Sequence, residues 1–399
     1  MTRRIGLVAG EPSGDLIAAR VLQGLNASGH QAFMAEGIGG PELAHQKMTI
    51  WHEMHALSVF GYVDALKSLP KLWSIFNDLC RRWQKTPPDL FLGVDAPDFN
   101  LRLEKRLKQQ GVPTVHFVSP SIWAWRYERI HTIKLSVDLM LTVFPFEQAI
   151  YEKEGIPVKY VGHPLADVIP IQPDQATARK QLGLTELAEV LAILPGSRSS
   201  EIKLMAPLFL QTAQRLVQQN PNLVCLVPMV NDQRFYEFMK ILALYPVPNL
   251  QVLRKTDATF LGNNPLSWLA LQACDRALVT SGTATLEAAL FKRPMVISYV
   301  LTPWMRRLMA WKSGQSKPYL PWVGLPNVLA NETLVPELLQ DDATPDALFD
   351  AMQALANNPD RCQYIVDRFI TMHETLRCDT PSRVAEAIAE LLDGKRNDN

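Results

Sequence analysis

The sequence predicts an α/β protein built of two doubly wound domains facing one another across a cleft, and three observations carry that prediction. Short β-rich apolar runs alternate with longer amphipathic segments, the runs are continuously apolar, and the series is broken once near its middle by prolines. Continuous apolar strands separated by helices belong to parallel sheets covered on both faces. Length agrees, since 399 residues exceed one ordinary hydrophobic core and fit two domains of roughly 150 to 200 residues each.

The first series of strands is expected at 5–9, 32–35, 90–94, 114–118 and 139–143, and the second at 190–194, 223–228, 250–253, 277–279 and 295–299. Between them, Asp167-Val-Ile-Pro-Ile-Gln-Pro-Asp174 holds two prolines, which exclude helix and strand interior alike. Domains are therefore expected at 1–168 and 169–375, with 376–399 as a C-terminal helix and tail packing back on the first domain. Helical patterns cover 346–375 and 381–393, the second opening on Pro381 as helices prefer. The polar end, Gly394-Lys-Arg-Asn-Asp-Asn399, is expected to be disordered. These C-terminal helices can pack in cis or in trans, the latter giving a homodimer.

Composition excludes several classes. Forty basic residues balance 40 acidic ones, which speaks against a nucleic-acid partner, and 47% apolar with 20% charged residues is ordinary for a globular enzyme. Five cysteines without a CxxC pair read as reduced thiols rather than a disulfide framework. The N-terminus is too short in apolar residues for a signal segment, and no stretch reaches the ~20 apolar residues that span a bilayer. A cytoplasmic protein is expected, with any membrane contact peripheral.

Motifs cluster at predicted strand ends. The first strand runs into Gly10-Glu-Pro-Ser-Gly-Asp15, a glycine-rich turn at a helix N-terminus that can hold an anion or sugar through Gly10, Glu11, Ser13, Gly14 and Asp15. It is neither GxGxxG nor a P-loop, and a tight turn capped by Ser13 or Asp15 is the alternative. Asp95-Ala-Pro-Asp98 puts two carboxylates at a strand end, where open α/β sheets bind ligands and a carboxylate can deprotonate an alcohol; a helix cap is the plainer reading. Ser119-Pro-Ser-Ile-Trp-Ala-Trp125 follows the next strand, and Trp123 and Trp125 in a Ser/Pro loop suit a sugar face or acyl chain, or else core packing. His163, in Gly162-His-Pro-Leu165, is expected in the interdomain crevice as a neutral donor, or as a structural histidine.

In the second half, Leu194-Pro-Gly-Ser-Arg198 and Thr280-Ser-Gly-Thr-Ala-Thr-Leu-Glu287 are small-residue turns opening helices. Gly196, Ser197, Ser281, Gly282, Thr283 and Thr285 can offer N–H and hydroxyl donors to a diphosphate, with the Arg198 guanidinium beside them. Glu287 can accept from a ribose hydroxyl, or be a solvated helix carboxylate. His52 and His55 lack HExxH spacing, and no metal cluster stands out. Two segments, 57–73 and 303–312, mix large apolar, aromatic and basic residues as interfacial helices do, the alternative being ordinary amphipathic packing.

Taken in order, Gly10-Glu-Pro-Ser-Gly-Asp15, Gly93-Val-Asp-Ala-Pro-Asp-Phe-Asn100, Val118-Ser-Pro-Ser-Ile-Trp-Ala-Trp125, Gly162-His-Pro-Leu165, Leu194-Pro-Gly-Ser-Arg198, Ser281-Gly-Thr-Ala-Thr-Leu-Glu287 and Leu325-Pro-Asn327 closely resemble the lipid-A-disaccharide synthase family over nearly the whole chain. The resemblance implies a GT-B architecture and an inverting, metal-independent glycosyltransferase without cofactor, working at the cytoplasmic face of the inner membrane. It implies that UDP-2,3-diacylglucosamine donates its sugar to the 6-hydroxyl of 2,3-diacylglucosamine 1-phosphate, forming the β-1,6 lipid A disaccharide 1-phosphate and UDP. Asp95 aligns with the family's proposed general base, and Arg198 and Asn327 with residues needed for activity. One departure is Gly314-Gln-Ser-Lys-Pro-Tyr-Leu-Pro-Trp322, a Pro- and aromatic-rich insert before Leu325 that bears on acyl preference. The position after Gly10-Glu11, usually Thr or Pro, is filled by Pro12, and the remaining motifs are intact. Rival readings are an enzyme using an unacylated UDP-amino sugar, such as a UDP-N-acetylglucosamine 2-epimerase or the transferase of peptidoglycan lipid II synthesis, and a non-catalytic nucleotide-sugar or lipid-binding protein.

Overall fold

The computed structural model describes residues 2–27, 33–57, 62–255, 264–302 and 320–397. The segment 303–312 and most of the 314–322 insert fall outside this range, as do residues 58–61 of the other aromatic-basic segment. The chain forms two compact units, Met1–Asp167 with Leu376–Asn399, and Val168–Thr375.

The first unit holds a parallel seven-stranded sheet of β1 (Arg3–Ala9), β2 (Phe33–Gly39), β3 (Thr49–Glu53), β4 (Leu90–Val94), β5 (Thr114–Phe117), β6 (Leu139–Thr142) and β7 (Val158–Tyr160), in the order β3-β2-β1-β4-β5-β6-β7. The second holds a parallel six-stranded sheet of β8 (Val190–Leu194), β9 (Val224–Pro228), β10 (Leu250–Leu253), β11 (Arg276–Thr280), β12 (Met295–Tyr299) and β13 (Glu337–Leu339), in the order β10-β9-β8-β11-β12-β13. Both orders are Rossmann-like. In each, the strand order reverses direction beside the first strand, β1 next to β4 and β8 next to β11, and ligands of open α/β sheets bind outside the carboxyl ends of the strands there.

Central strands are apolar on both faces because helices cover both. All five residues of β4 and all five of β8 are buried. Trp83, fully buried, packs with Val8, Ile38, Phe91, Leu103 and Leu107 in the core of the first unit. The strands absent from the expected series are β3, β7 and β13, each at a sheet edge and only partly buried, so their sequences lack the continuous apolar run.

Two C-terminal expectations are corrected. The helix expected over 346–375 is two, Pro345–Ala356 and Pro359–Leu376, because Pro359 cannot donate and disfavours helical geometry at Asn358. Of the end expected to be disordered, residues 394–397 are helical, the last helix running Thr380–Asn397. Adding residues to an established helix needs no new nucleus. This helix packs on the helix Pro12–Ala27, and the Asp167 carboxylate accepts from the N–H groups of Cys378, Asp379 and Thr380 at 2.8–3.1 Å, capping its start.

Candidate active site

In the first unit, the turns after β1 and β4 meet at the switch point. Gly10 lies against Ala96, where an added Cβ would stand 3.2 Å from the alanine methyl, and Gly14 lies against Val94. Glu11 accepts from Asp15 N–H at 2.9 Å, starting the helix Pro12–Ala27. The Ser13 side chain lies outside what is described. Asp15 departs from its expected role, because its buried carboxylate accepts from the N–H groups of Gly40, Glu42 and Leu43 at 2.6–3.4 Å. It caps the distant short helix Pro41–His45, which neither the ligand reading nor the capping of its own turn anticipated.

Asp95 follows β4 with φ 52°, and Ala96 follows it with φ 45°. Two consecutive left-handed non-glycine residues cost about 1–3 kcal/mol each and persist only where surrounding bonds hold them. Here Asp95 N–H donates to Phe117 O at 2.9 Å, and the buried Asn100 amide donates to Asp95 O at 2.7 Å. Burial pushes the Asp95 carboxyl up, while the His116 charge and the Ala96 N–H pull it back. Asp98, by contrast, is exposed and ion-paired with Arg129 at 2.6 Å. The two carboxylates of the motif therefore separate into a half-buried strained one and a surface one.

Beyond β5, the Ser119 hydroxyl bonds Tyr151 at 2.7 Å, and Trp123 Nε1 donates to Glu147 Oε1 at 3.2 Å. Glu147 Oε2 also accepts from Phe144 N–H at 3.1 Å. Burial raises the Glu147 carboxyl to about 8 against those donors, so it is largely neutral at pH 7. Trp125 is half-buried. The His163 ring stacks on Phe144 at 5.5 Å and accepts from Leu165 N–H through Nδ1 at 3.2 Å. Burial lowers it to about 4, which leaves a neutral ring with Nε2–H as its donor.

In the second unit, the turn after β8 departs from expectation. Gly196, at φ 111°, sits where a Cβ would strike Glu201, and Ser197 and Arg198 donate their N–H groups to Glu201 Oε2 at 3.0 and 3.1 Å. A carboxylate of the helix's own first turn thus takes the amides expected to be free. The Arg198 guanidinium, 66% exposed, points Nη1 to Glu201 Oε1 at 3.2 Å and remains the turn's accessible cation. After β11, Gly282 precedes the helix Thr283–Leu290, with Thr283 exposed and Thr285 bonding back to Gly282 O at 2.8 Å. Ser281 reaches Val323 O at 3.4 Å. Glu287 is half-buried rather than solvated, held by Ser267 at 3.3 Å and pushed up by burial.

Asn327 is fully buried and spends its amide internally. It donates to Val335 O at 2.9 Å and Glu337 Oε1 at 2.8 Å, and accepts from Val335 N–H at 2.9 Å. Glu337 in turn accepts from Val323 and Gly324 N–H. Asn327 therefore ties together the loop beside Ser281 through its amide.

Against known families, residues 5–388 match the model described as lipid-A-disaccharide synthetase. The chain belongs to the lipid-A-disaccharide synthase family. The lipid-A-disaccharide synthase of Bordetella petrii is 60% identical over 99% of this chain and 100% of its own, and that of Aromatoleum aromaticum 47% identical over 98% and 97%. Among solved structures, UDP-GlcNAc 2-epimerase from Neisseria meningitidis bound to UDP-GlcNAc aligns with TM-score 0.64 at 12% identity, covering 98% of this chain and 99% of that one. The glycotransferase of kitacinnamycin aligns with TM-score 0.62 at 15% identity, again over 98% and 99%. These likenesses speak to the fold, two Rossmann-like units of the GT-B type.

Membership makes this lipid-A-disaccharide synthase homologue a glycosyltransferase of lipid A biosynthesis, and its bacterial relatives share that name. Sequence reasoning passed over Asn100, Glu104, His116, Glu147, Glu201 and Glu337, the polar groups behind the named motifs. One signal was available: Gly93 inside an apolar strand marks a close approach, and a Cβ there would overlap Glu104 Oε1.

Proposed function

We propose that the chain transfers 2,3-diacylglucosamine from UDP to the 6-hydroxyl of 2,3-diacylglucosamine 1-phosphate by a single inverting displacement. Asp95 takes the acceptor proton as the oxygen attacks the anomeric carbon, and UDP departs from the opposite face. The observation that carries this reading is the strained, half-buried Asp95 at the switch point of the first sheet, its carboxyl pushed up by burial. Gly10, Glu11, Ser119, Trp123, Trp125 and the His163 Nε2–H are the acceptor-side groups. On the donor side, Arg198 offsets charge gathering on the departing diphosphate, with Ser281, Gly282 and Thr283 at the neighbouring helix start and Glu287 toward the ribose. Asn327 and Glu337 hold the loop whose Val323 carbonyl accepts from Ser281.

The enzyme works as a peripheral protein of the inner membrane's cytoplasmic face. Supporting that placement, the helix Tyr62–Lys85 exposes Leu69 and Trp73, at 55% and 63%, beside Lys71. Among the described residues no helix is long and apolar enough to cross a membrane.

The test is mass spectrometry of products after mixing purified protein, in detergent and EDTA, with the two acylated substrates, alongside Asp95→Asn. A tetra-acyl disaccharide phosphate is expected from the wild type. Asp95→Asn should fall by about 10² to 10⁴-fold in turnover with UDP affinity retained, and wild-type-like turnover would remove Asp95 from the base role.

A further inference from the structure

Behind Asp95 lies a pair that the reaction as described does not use. His116 Nδ1 and Glu104 Oε1 stand 2.7 Å apart, and both side chains are sealed from solvent at 0% exposure. Nothing in the helix or sheet requires them, since an apolar pair would fill the same space without desolvating two ionisable groups, a burden of several kcal/mol per ion. The surroundings are nevertheless cut to fit. Gly93 is directly opposite His116 in the β4–β5 register, and any Cβ at Gly93 would collide with Glu104 Oε1. The residue after His116, Phe117, receives the Asp95 N–H, and Asn100, one turn before Glu104 on the same helix, clamps the Asp95 carbonyl. The imidazole's second nitrogen, Nε2, makes no side-chain hydrogen bond, and neither does Glu104 Oε2. The charged groups acting on the ring are Glu104, from the helix Pro97–Lys108, and Asp95, from the turn after β4, with the Val118 backbone adding to them.

We propose that the buried Glu104–His116 pair is the positioning device of the Asp95 base, Glu104 holding a charged His116 ring beneath the turn so that its field favours the carboxylate form of Asp95. The inference rests on Asp95 being the base. One cation then acts on two carboxylates, paired with the sealed Glu104 at 2.7 Å and reaching the half-buried Asp95 through its charge. Burial disfavours charge on the ring and raises both the Glu104 and Asp95 carboxyls, while Glu104 raises the ring's proton affinity and the ring pulls both carboxyls back. The arrangement lets Asp95 be desolvated, as a reactive base needs, while the charge of the ring counters the push that burial exerts.

The sign of the effect follows. A base works deprotonated, so kcat/KM rises with pH through the Asp95 pKa, and an opposite charge nearby holds a carboxyl down by about 1–3 units. Removing the ring's charge moves that acid limb to higher pH. The test is the pH profile of kcat/KM with both acylated substrates for wild type, His116→Gln and Glu104→Gln, with KM for the UDP-sugar read separately. Expected for both variants is an acid limb displaced upward by about one unit or more, roughly a tenfold loss per unit on the acid side, recovery toward wild type at alkaline pH, and an unchanged donor KM. A uniform fall at every pH with the limb in place would mean that the pair only packs, and would overturn the inference.

A measurement on the unaltered protein guards against variants that do not fold. In protein carrying ¹⁵N-histidine, one of the eight histidines should keep the two-proton imidazolium signature at pH 8, and its absence would also overturn the inference. Asp95→Asn separates the two layers. If it turns over like wild type, the base assignment itself has failed; if it is inactive while the His116→Gln limb stays in place, only the role of the pair has failed.

Discussion

Glu147 and Asn327 show how much a side chain's surroundings decide what it does. A carboxyl at position 147 carries about half a charge at pH 8 because burial outweighs the donors from Phe144 and Trp123. Its folded-state pKa lies above the unfolded value of 4.5, so the native state binds the extra proton and stability is greatest below pH 4.5. Stability then falls as pH rises toward about 8, by about 1.4 kcal/mol per unit at most. Glu147→Gln should flatten that fall, seen as a smaller difference in Tm between pH 5 and pH 8 than in wild type. Arg198 and Asn327, both expected from the family resemblance to be needed for activity, should part company in the same assay. Arg198 is 66% exposed, and Arg198→Ala should lose turnover while melting within about 0.5 kcal/mol of wild type. Asn327→Ala strands the buried Val335 N–H and C=O, while Glu337 Oε1 keeps the Gly324 N–H, and should lower stability by about 1–3 kcal/mol per group left unpaired, with turnover lost as the loop relaxes. Equal Tm values for the two variants would contradict this division.

At the scale of elements, the decisive contacts are between chain segments far apart in sequence. Asp167 ends one stretch of the first unit and caps the helix that returns 211–213 residues later. Removing a capping carboxylate costs about 0.5–2 kcal/mol, and here three N–H groups lose their acceptor together. Asp167→Ala should therefore free the helix Thr380–Asn397 locally before the sheets unfold. Limited proteolysis would report it as faster cleavage after Leu376, and unchanged cleavage would show that packing on the helix Pro12–Ala27 suffices. The strands obeyed a related rule. Those buried on both faces announced themselves as apolar runs, whereas β3, β7 and β13 pair on one side only and carry residues such as His52, Lys159 and Glu337 that no run-based reading assigns to a sheet.

At the scale of the molecule, two sheets with separate cores make unfolding a two-body problem, and multidomain chains depart from two-state behaviour. A ligand that binds one unit stabilises that unit by mass action, about 2.7 kcal/mol at a hundredfold excess over Kd. UDP should accordingly raise one calorimetric transition, that of the unit holding Arg198, and Arg198→Ala should shrink the shift. A UDP effect confined to the transition of the unit holding Asp95 would reverse the assignment of donor and acceptor sides.

Fold class, the two sheets, most of their strands and the small-residue turns at strand ends were legible in the sequence, because each rests on local properties: apolar runs, proline breaks, and small residues at helix starts. Family membership was legible for the same reason, since its motifs are short and contiguous. Which of those motif residues are occupied elsewhere was not. Asp15 capping a distant helix, Glu201 taking the amides of its own turn, Asn327 turned inward and the Glu104–His116 pair under Asp95 all follow from which groups share a desolvated space. Burial and pairing depend on neighbours that only tertiary packing brings together, and those neighbours set the charge and availability of each side chain.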